Sequence, residues 1–427
     1  MDVTNAEADT VYLTANAVSV AEGARAVLVG KLDPTQTYKL SSDTTANVNW
    51  GENLYAGNAV WKLHTHADGT ISVMQQDAGA VYGSLMQGSA LAAAGMAAGS
   101  DYVNALLTDK TADPAKLAQI AERFDAAMNP AGALSVFTTA YDRSSDLRRA
   151  VREEAVKLEG NRLWVHLTGG KTQLKGISTG SSQEIHSKTN AYGFVMGGEA
   201  DVNGFTAGAA FTAGRGDTKN SRVSGKDDFD FYGLSLYGRT TLAGVDVLAD
   251  ASGTWLRSDL TVGGAADVDA DTTTAVYSAG VQLQKTFGLA GIDVTPFIGA
   301  NVYHVAMNGF GNGHGASIKD SDATAVEFPV GASISKAFEA AGGVKVAPAF
   351  TLAVVPTVGD TDVDSEVRFA GASSTYSFTY TDDVKVRSNL GLDVTSQNLS
   401  LGLQAGYEWG NEERGAATFQ FRSKYAF

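Results

Sequence analysis

The 427-residue chain has no cysteine, seven prolines, six histidines, and 32 Lys and Arg against 47 Asp and Glu. Each shortage bears on function. Without cysteine there is neither a disulfide framework nor a thiolate metal site, a composition that suits a chain crossing an oxidising compartment before it folds. A net charge of −15 argues against a nucleic-acid partner, which needs a basic face. No run approaches the roughly 18 consecutive apolar residues of a membrane helix; the nearest, "ALAAAGMAAG" at 90–99, is too short and too rich in alanine. The opening "MDVTNAEADT" has neither the basic nor the apolar region of a secretory signal, so an exported mature protein would make this chain part of something longer.

What the chain does have is 48 Gly, 15 Tyr and 18 Phe, a composition of many strands joined by tight turns. Three textures follow one another. Residues 1–80 carry β-like runs such as "DTVYLT", "AVWKLHTH" and "ISVMQQ", with an Asp-Gly turn in "ADGT". Residues 81–160 lose that signal. "DPAKLAQIAERFDAAM" opens a helix with Asp113 as cap and Pro114 in the first turn, and "SSDLRRAVREEAVKLEG" opens a second at Ser144 or Ser145 and stops at Gly160. This second helix has a thin apolar stripe, Leu147, Val151, Ala155 and Leu158, and is otherwise charged: Arg148, Arg149, Arg152, Glu153, Glu154, Lys157 and Glu159.

From residue 161 a period of two takes over. In "LSLGLQAGYEWG" the residues Leu399, Leu401, Leu403, Ala405, Tyr407 and Trp409 share one face, and Ser400, Gly402, Gln404, Gly406 and Glu408 the other. About twelve such segments occur. Each is about 10–15 residues long, which suits a tilted membrane-spanning strand. Tight turns ("VNG", "LAG", "GLAG", "EAAGG", "SQN") alternate with long polar stretches near 171–190, 216–228, 259–272, 307–323 and 356–382. Short turns on one rim and long loops on the other describe an outer-membrane barrel; a soluble β-sandwich, the rival, has no need to segregate them. The Gly and Ser of the inward face imply a wet pore. A helix of about 15 residues is about 22 Å long, near the height of the apolar band, and its charge suits that pore.

At this point the residues resemble a family: the monomeric type V autotransporters of Gram-negative bacteria, in their C-terminal translocator part. The first strand, "RLWVHLTGG", is similar to the family's opening strand, and the closing "QFRSKYAF" to the β-signal read by the barrel assembly machinery. Gln420, Tyr425 and Phe427 fit that signal, and Arg422 stands where Gly is usual. The resemblance implies an all-β transmembrane barrel of about twelve antiparallel strands (161–427), an α-helical linker occupying its lumen (81–160) and the β-rich end of a passenger (1–80). Trp164 and His166 would face the lumen and the helix. It further implies an outer-membrane location, a monomer, the chain's own passenger as cargo, and outer-membrane lipid, lipopolysaccharide, the assembly machinery and periplasmic chaperones as partners. No enzymatic role, cofactor or metal is implied. The other functional class open to such a chain is a stand-alone outer-membrane channel or barrel enzyme.

Family members that cut the passenger inside the barrel do so at an Asn-Asn step; this chain has no such dipeptide, and Asn104 and Asn129 are isolated. Arg215-Gly216-Asp217 falls in an expected surface loop, where a short tripeptide is usually chance. "DVDAD" (267–271) and "DTDVD" (360–364) lack the Gly and Glu of a calcium loop; as acidic loop tips they are either solvated or share divalent cations with lipopolysaccharide, and "GFGNGHG" (309–315) is expected to be a flexible loop. His64 and His66 share a strand face without a third ligand, and no nucleophile motif is recognisable.

Overall fold

The computed structural model describes residues 11–13, 26–28, 32–41, 54–56, 61–75, single positions at 91, 94, 95, 98, 124 and 128, and then 131–156, 161–178, 184–221, 225–262, 268–411 and 414–427. Among the described residues one continuous helix, α1 (Ala131–Val156), leads into twelve antiparallel passes. These are β1 (Arg162–Ser178), β2 (Glu184–Val202), β3 (Phe205–Ser221), β4 (Gly225–Leu242), β5 (Val245–Val262), β6 (Val268–Gln284), β7 (Ile292–Met307), β8 (Ser321–Glu327 continued by Val330–Ser335), β9 (Val344–Gly359), β10 (Val384–Ser396), β11 (Leu399–Gly410) and β12 (Gly415–Ala426). Each strand pairs with the next, and β12 returns to β1 with Ala426 opposite Arg162 and Phe421 opposite Leu167. The sheet is a closed barrel, so no strand edge is left unpaired in lipid.

Local chemistry explains the joints. Asn203-Gly204, Ala243-Gly244 and Ala290-Gly291 have φ of 56° and 79°, 51° and 75°, and 51° and 76°, the paired positive values of the two-residue hairpin turn that matches strand twist. Pro329 cannot donate to a ladder and interrupts β8. The wall stays closed because the Pro329 carbonyl accepts from Gly299 N–H at 2.9 Å and Phe328 N–H donates to the Pro356 carbonyl at 2.8 Å.

The strands are longer than the sequence suggests. The stretches 171–190, 216–228 and 259–272, expected as loops, are mostly strand: β1 and β2 stay paired out to Ser178 and Glu184, β3 and β4 to Asn220 and Gly225, and β5 and β6 to Val262 and Val268. At 17–19 residues these strands exceed the 9–11 needed to cross a membrane, so the barrel wall continues beyond the lipid. In β4 the alternation changes phase at Phe231-Tyr232. Tyr232, Leu234 and Leu236 point outward and are exposed, whereas Phe229 and Phe231 point inward and are buried. Lipid asks for apolar residues outside; water asks for them inside.

The same reversal corrects the wet-pore expectation at this end. Phe229, Phe231, Leu256, Leu260, Val305 and Met307 form a dry core inside the wall extension. A four-stranded sheet joins it, built from Phe310–Gly311, Ser317–Ile318, Asp362–Phe369 and Ala372–Thr379 in the stretches 307–323 and 356–382. "GFGNGHG" is a hairpin of this sheet and not a flexible loop. The Asn312 side-chain oxygen accepts from the His314 and Ala316 N–H groups, each at 3.0 Å, and Asn312 is buried. Arg215-Gly216-Asp217 lies within β3, paired on both sides with Asn190–Tyr192 and Asp228–Asp230, so it is not presented on a loop.

Candidate functional site: the helix-threaded lumen

The sequence expectation of a 15-residue helix starting at Ser144 or Ser145 is corrected. α1 is continuous over 26 residues, about 39 Å long, because Ala133–Tyr141 carries enough apolar residues to bury about two and a half turns more. Its two halves meet different surroundings. Leu134, Val136, Phe137, Ala140 and Tyr141 are buried in the dry core with Phe369, Phe378 and Tyr380, and the Thr138 hydroxyl donates to the Tyr380 carbonyl at 2.9 Å. From Asp142 onward the helix is inside the membrane-spanning part of the wall, and its contacts become ionic.

Three tiers of charge hold that second half. In the uppermost, Tyr141 donates to Glu327, which also receives Lys385 at 2.7 Å and Arg387 at 3.0 Å. Asp142 pairs with Arg414, and Arg414 also reaches Glu408 at 3.0 Å. In the middle tier Arg148 and Arg152 converge on Asp250 of β5 at 2.7 and 2.8 Å. Arg152 also donates to Asn301 at 2.8 Å, and the Arg148 guanidinium lies 4.6 Å over the Tyr303 ring. In the lowest tier Glu154 meets His166 at 3.1 Å and Lys424 at 3.0 Å, while Glu153 accepts from Gln404 at 2.8 Å and Arg422 at 3.4 Å. A buried charge is tolerated only when paired and hydrogen-bonded. The wall supplies a counter-charge at the right height for Asp142, Arg148, Arg152, Glu153 and Glu154, while Arg143 and Arg149 pair with Asp146 along the helix.

The apolar stripe of the helix has its own seat. Leu147, Ala150, Val151 and Ala155 pack on Trp164, Val195, Ala210, Tyr237 and Leu248. Trp164 donates its indole N–H to the Tyr237 hydroxyl at 3.0 Å, and that hydroxyl donates to Glu199 at 3.0 Å. The inward glycines here do not leave water-filled space. A Cβ on Gly208 would stand 2.2 Å from the Tyr237 ring, and one on Gly197 would stand 2.4 Å from Trp164, so these glycines accommodate the rings of neighbouring strands. Because α1 lies against β2–β7, the other side of the lumen stays open. A cavity of about 610 Å³ runs between Arg149, Arg152 and Glu153 of the helix and Ser333, Thr351, Asn389 and Lys424 of β8–β12.

Of the residues singled out in the sequence, Arg148, Arg152, Glu153, Glu154, Trp164 and His166 come together in this lumen. Arg149 pairs along the helix with Asp146, and Lys157 lies outside the described residues. Gln420 faces inward and is buried, whereas Tyr425 and Phe427 face outward, 51% and 66% exposed. Asp113, Pro114, Asn104 and Asn129 lie outside the described residues, and so does Asp267 of "DVDAD". His66 bonds Ser72 at 2.9 Å, and His64 packs edge-on against it. Sequence reading missed Asp250, Glu327, Lys385, Arg387, Glu408 and Arg414 as partners. The available signal was an ionisable residue at an inward position of a strand whose other inward residues are small.

A closed barrel with an apolar outer band, threaded by the segment that immediately precedes it, defines a transmembrane β-barrel of the translocator class. The chain belongs to the autotransporter β-domain family, whose model matches residues 163–408, more than half of it. Among solved structures it is similar to the translocator domain of autotransporter NalP from Neisseria meningitidis (12% identity, TM-score 0.55, covering 70% of this chain and 99% of that one). It is also similar to the transport unit of autotransporter AIDA-I from Escherichia coli (14% identity, TM-score 0.50, covering 68% and 99%). Curated protein sequences gave no significant match. The barrel is thus an outer-membrane translocator of a Gram-negative bacterium, a transport barrel and not a member of an enzyme family, through which the chain's own passenger is secreted or displayed at the cell surface.

Proposed function

We propose that residues 1–80 are the end of the passenger, 81–160 the linker that remains in the pore after export, and 161–427 the monomeric translocator and anchor. The observation that carries this reading is the fit of α1 to the wall: apolar at the outer end, and below it five charges, Asp142, Arg148, Arg152, Glu153 and Glu154, each met by an opposite charge of the wall. A segment so held stops the chain after translocation and closes the pore. The N-terminal strands support the passenger assignment. Val11 pairs in parallel with Lys39 and Ala26 with Leu54, an offset of 28 residues in both cases, as successive turns of a coiled β-sheet would give, and Leu28, Tyr38, Leu54, Ile71 and Val73 share one core.

The outward Tyr425 and Phe427 with inward Gln420 present the β-signal to the barrel assembly machinery, after delivery by periplasmic chaperones. Outer-membrane lipid and lipopolysaccharide surround the finished barrel. No nucleic acid, cofactor, metal or catalytic step enters this reading. With no Asn-Asn step, the passenger stays attached or is released by a separate protease. Planar-bilayer recording tests the plug. The intact chain is expected to conduct only in small events, and a chain lacking residues 131–160 in large, long-lived steps. Equal conductance from both would overturn the plugged reading.

A further inference from the structure

Rows of charge run across the outer face of β2–β6, just beyond an aromatic row. Tyr232 of β4 stacks on Trp255 of β5 at 5.6 Å, and Trp255 meets Tyr277 of β6 edge-on at 6.2 Å. Two residues towards the long-loop end, Arg215, Asp230 and Arg257 are cross-strand partners in succession. Two further on, Asp217, Asp228, Asp259 and Asp271 stand abreast on four neighbouring strands. Two further again, Lys188, Lys219 and Lys226 stand abreast on three. Lys188, Lys219, Lys226, Asp228, Asp259 and Asp271 are all exposed, and Lys226 pairs with Asp228.

Folding alone does not call for this pattern. Side chains directly opposed across a strand pair sit about 4.5–5.5 Å apart, and like charges there repel. Here two whole rows are of one sign. Their depth is informative: a two-residue step is about 6.8 Å along a strand, so the aspartate and lysine rows lie about 14 and 20 Å along the tilted strands from the aromatic girdle, on the wall outside the lipid-facing band, where the sugars and phosphates of outer-leaflet lipids project. At this end the other wall presents Val384, Tyr407 and Trp409 outward instead.

We infer that this face binds a phosphorylated glycolipid of the outer leaflet. The lysine row takes its phosphates, and the aspartate row takes a divalent cation that bridges carboxylate to phosphate. One layer of ligand then relieves the repulsion within both rows. The inference rests on the outer-membrane reading above and gives its lipid partner a surface.

The test uses the full chain refolded in neutral detergent and titrated, in the presence of magnesium, with a deep-rough lipopolysaccharide and with the same lipid after dephosphorylation. Binding is read by native mass spectrometry and by thermal unfolding. The phosphorylated lipid is expected to bind and raise the unfolding temperature; the dephosphorylated lipid and inorganic phosphate are not. The triple variant Lys188→Gln, Lys219→Gln, Lys226→Gln should unfold in plain detergent no earlier than the parent, yet bind on the order of 100-fold more weakly, about fivefold per lysine. Asp259→Asn with Asp271→Asn should remove the part of the affinity that EDTA removes from the parent. Undiminished affinity in the lysine variant, or equal binding of the dephosphorylated lipid, would overturn the inference. Protease access to residues 1–80 on intact cells tests surface display separately. The parent and the lysine variant should both be cut, and an inaccessible segment in the parent would count against the passenger reading alone.

Discussion

Glu327 shows what one inward charge does in this barrel. Its side chain is fully buried and holds Lys385 and Arg387 together with the hydroxyl of Tyr141. Removing one partner of such a cluster strands the others, at a cost of about 3–5 kcal/mol. Glu327→Ala is therefore expected to lower the thermal unfolding temperature in detergent clearly, whereas Glu366→Ala, which breaks an exposed pair with Arg368, should leave it unchanged. Two smaller effects belong to the same scale. Ala290 sits at φ 51°, where an alanine bears a strain of about 1–2 kcal/mol that asparagine largely avoids, so Ala290→Asn should raise the unfolding temperature. Gly208→Val must displace the Tyr237 ring, and overpacking of this kind costs about 1–3 kcal/mol.

At the scale of the element, α1 is two devices in one helix. Its outer half is fastened by Leu134, Val136 and Phe137 in a dry core, and its inner half by ion pairs to Asp250 of β5, to Arg414 just ahead of β12, and to Arg422 and Lys424 of β12. Phe137→Ala should cost about 3–5 kcal/mol of local anchoring by loss of a buried ring. Amide hydrogen exchange should then quicken along Ala131–Tyr141 while Leu147–Ala155, seated on Trp164, stays protected. Uniform loss of protection along all of α1 would mean that the two halves are not separately held. The barrel strands show a comparable division. Below the phase change at Phe231-Tyr232 they are lipid-facing wall, and above it they are the shell of a water-exposed domain.

For the whole molecule, closure and topology make the sharpest statements. Gly343 lies in a tight turn on the same rim as both ends of the barrel sheet, and Gly371 in the turn of the outer four-stranded sheet. On intact cells a membrane-impermeant thiol reagent should label Gly371→Cys and spare Gly343→Cys; the reverse would overturn the orientation. Phe427 separates assembly from stability. It is largely exposed, and its N–H donates to the Asn161 carbonyl at 3.1 Å. Losing one lipid-facing side chain costs only about 1.5–3 kcal/mol. A Phe427-deleted chain should refold in detergent as a heat-resistant barrel yet accumulate unfolded in living cells. Normal insertion in cells would make the terminal aromatic ordinary lipid-facing surface.

The sequence by itself determined the barrel, because lipid outside and polar lumen inside impose a period of two that nothing else in the chain obscures: Leu399, Leu401 and Leu403 against Ser400, Gly402 and Gln404. It determined the tight-turn rim for a related reason, since the φ values of Asn203-Gly204 are a local property. The height of the wall was not legible, because beyond the membrane Asp228-Phe229-Asp230-Phe231 keeps the period but inverts the faces, and its charges read as loop. The extent of α1 was obscured in the same way. Ala133–Tyr141 shows no charged stripe, and what buries it is supplied by Phe369, Phe378 and Tyr380, at least 228 residues away in the chain. Which inward charge meets which helix charge was decided by tertiary structure alone. Arg148 finds Asp250 and Glu154 finds Lys424 only once the closing of β12 on β1 fixes the height of every strand around the helix.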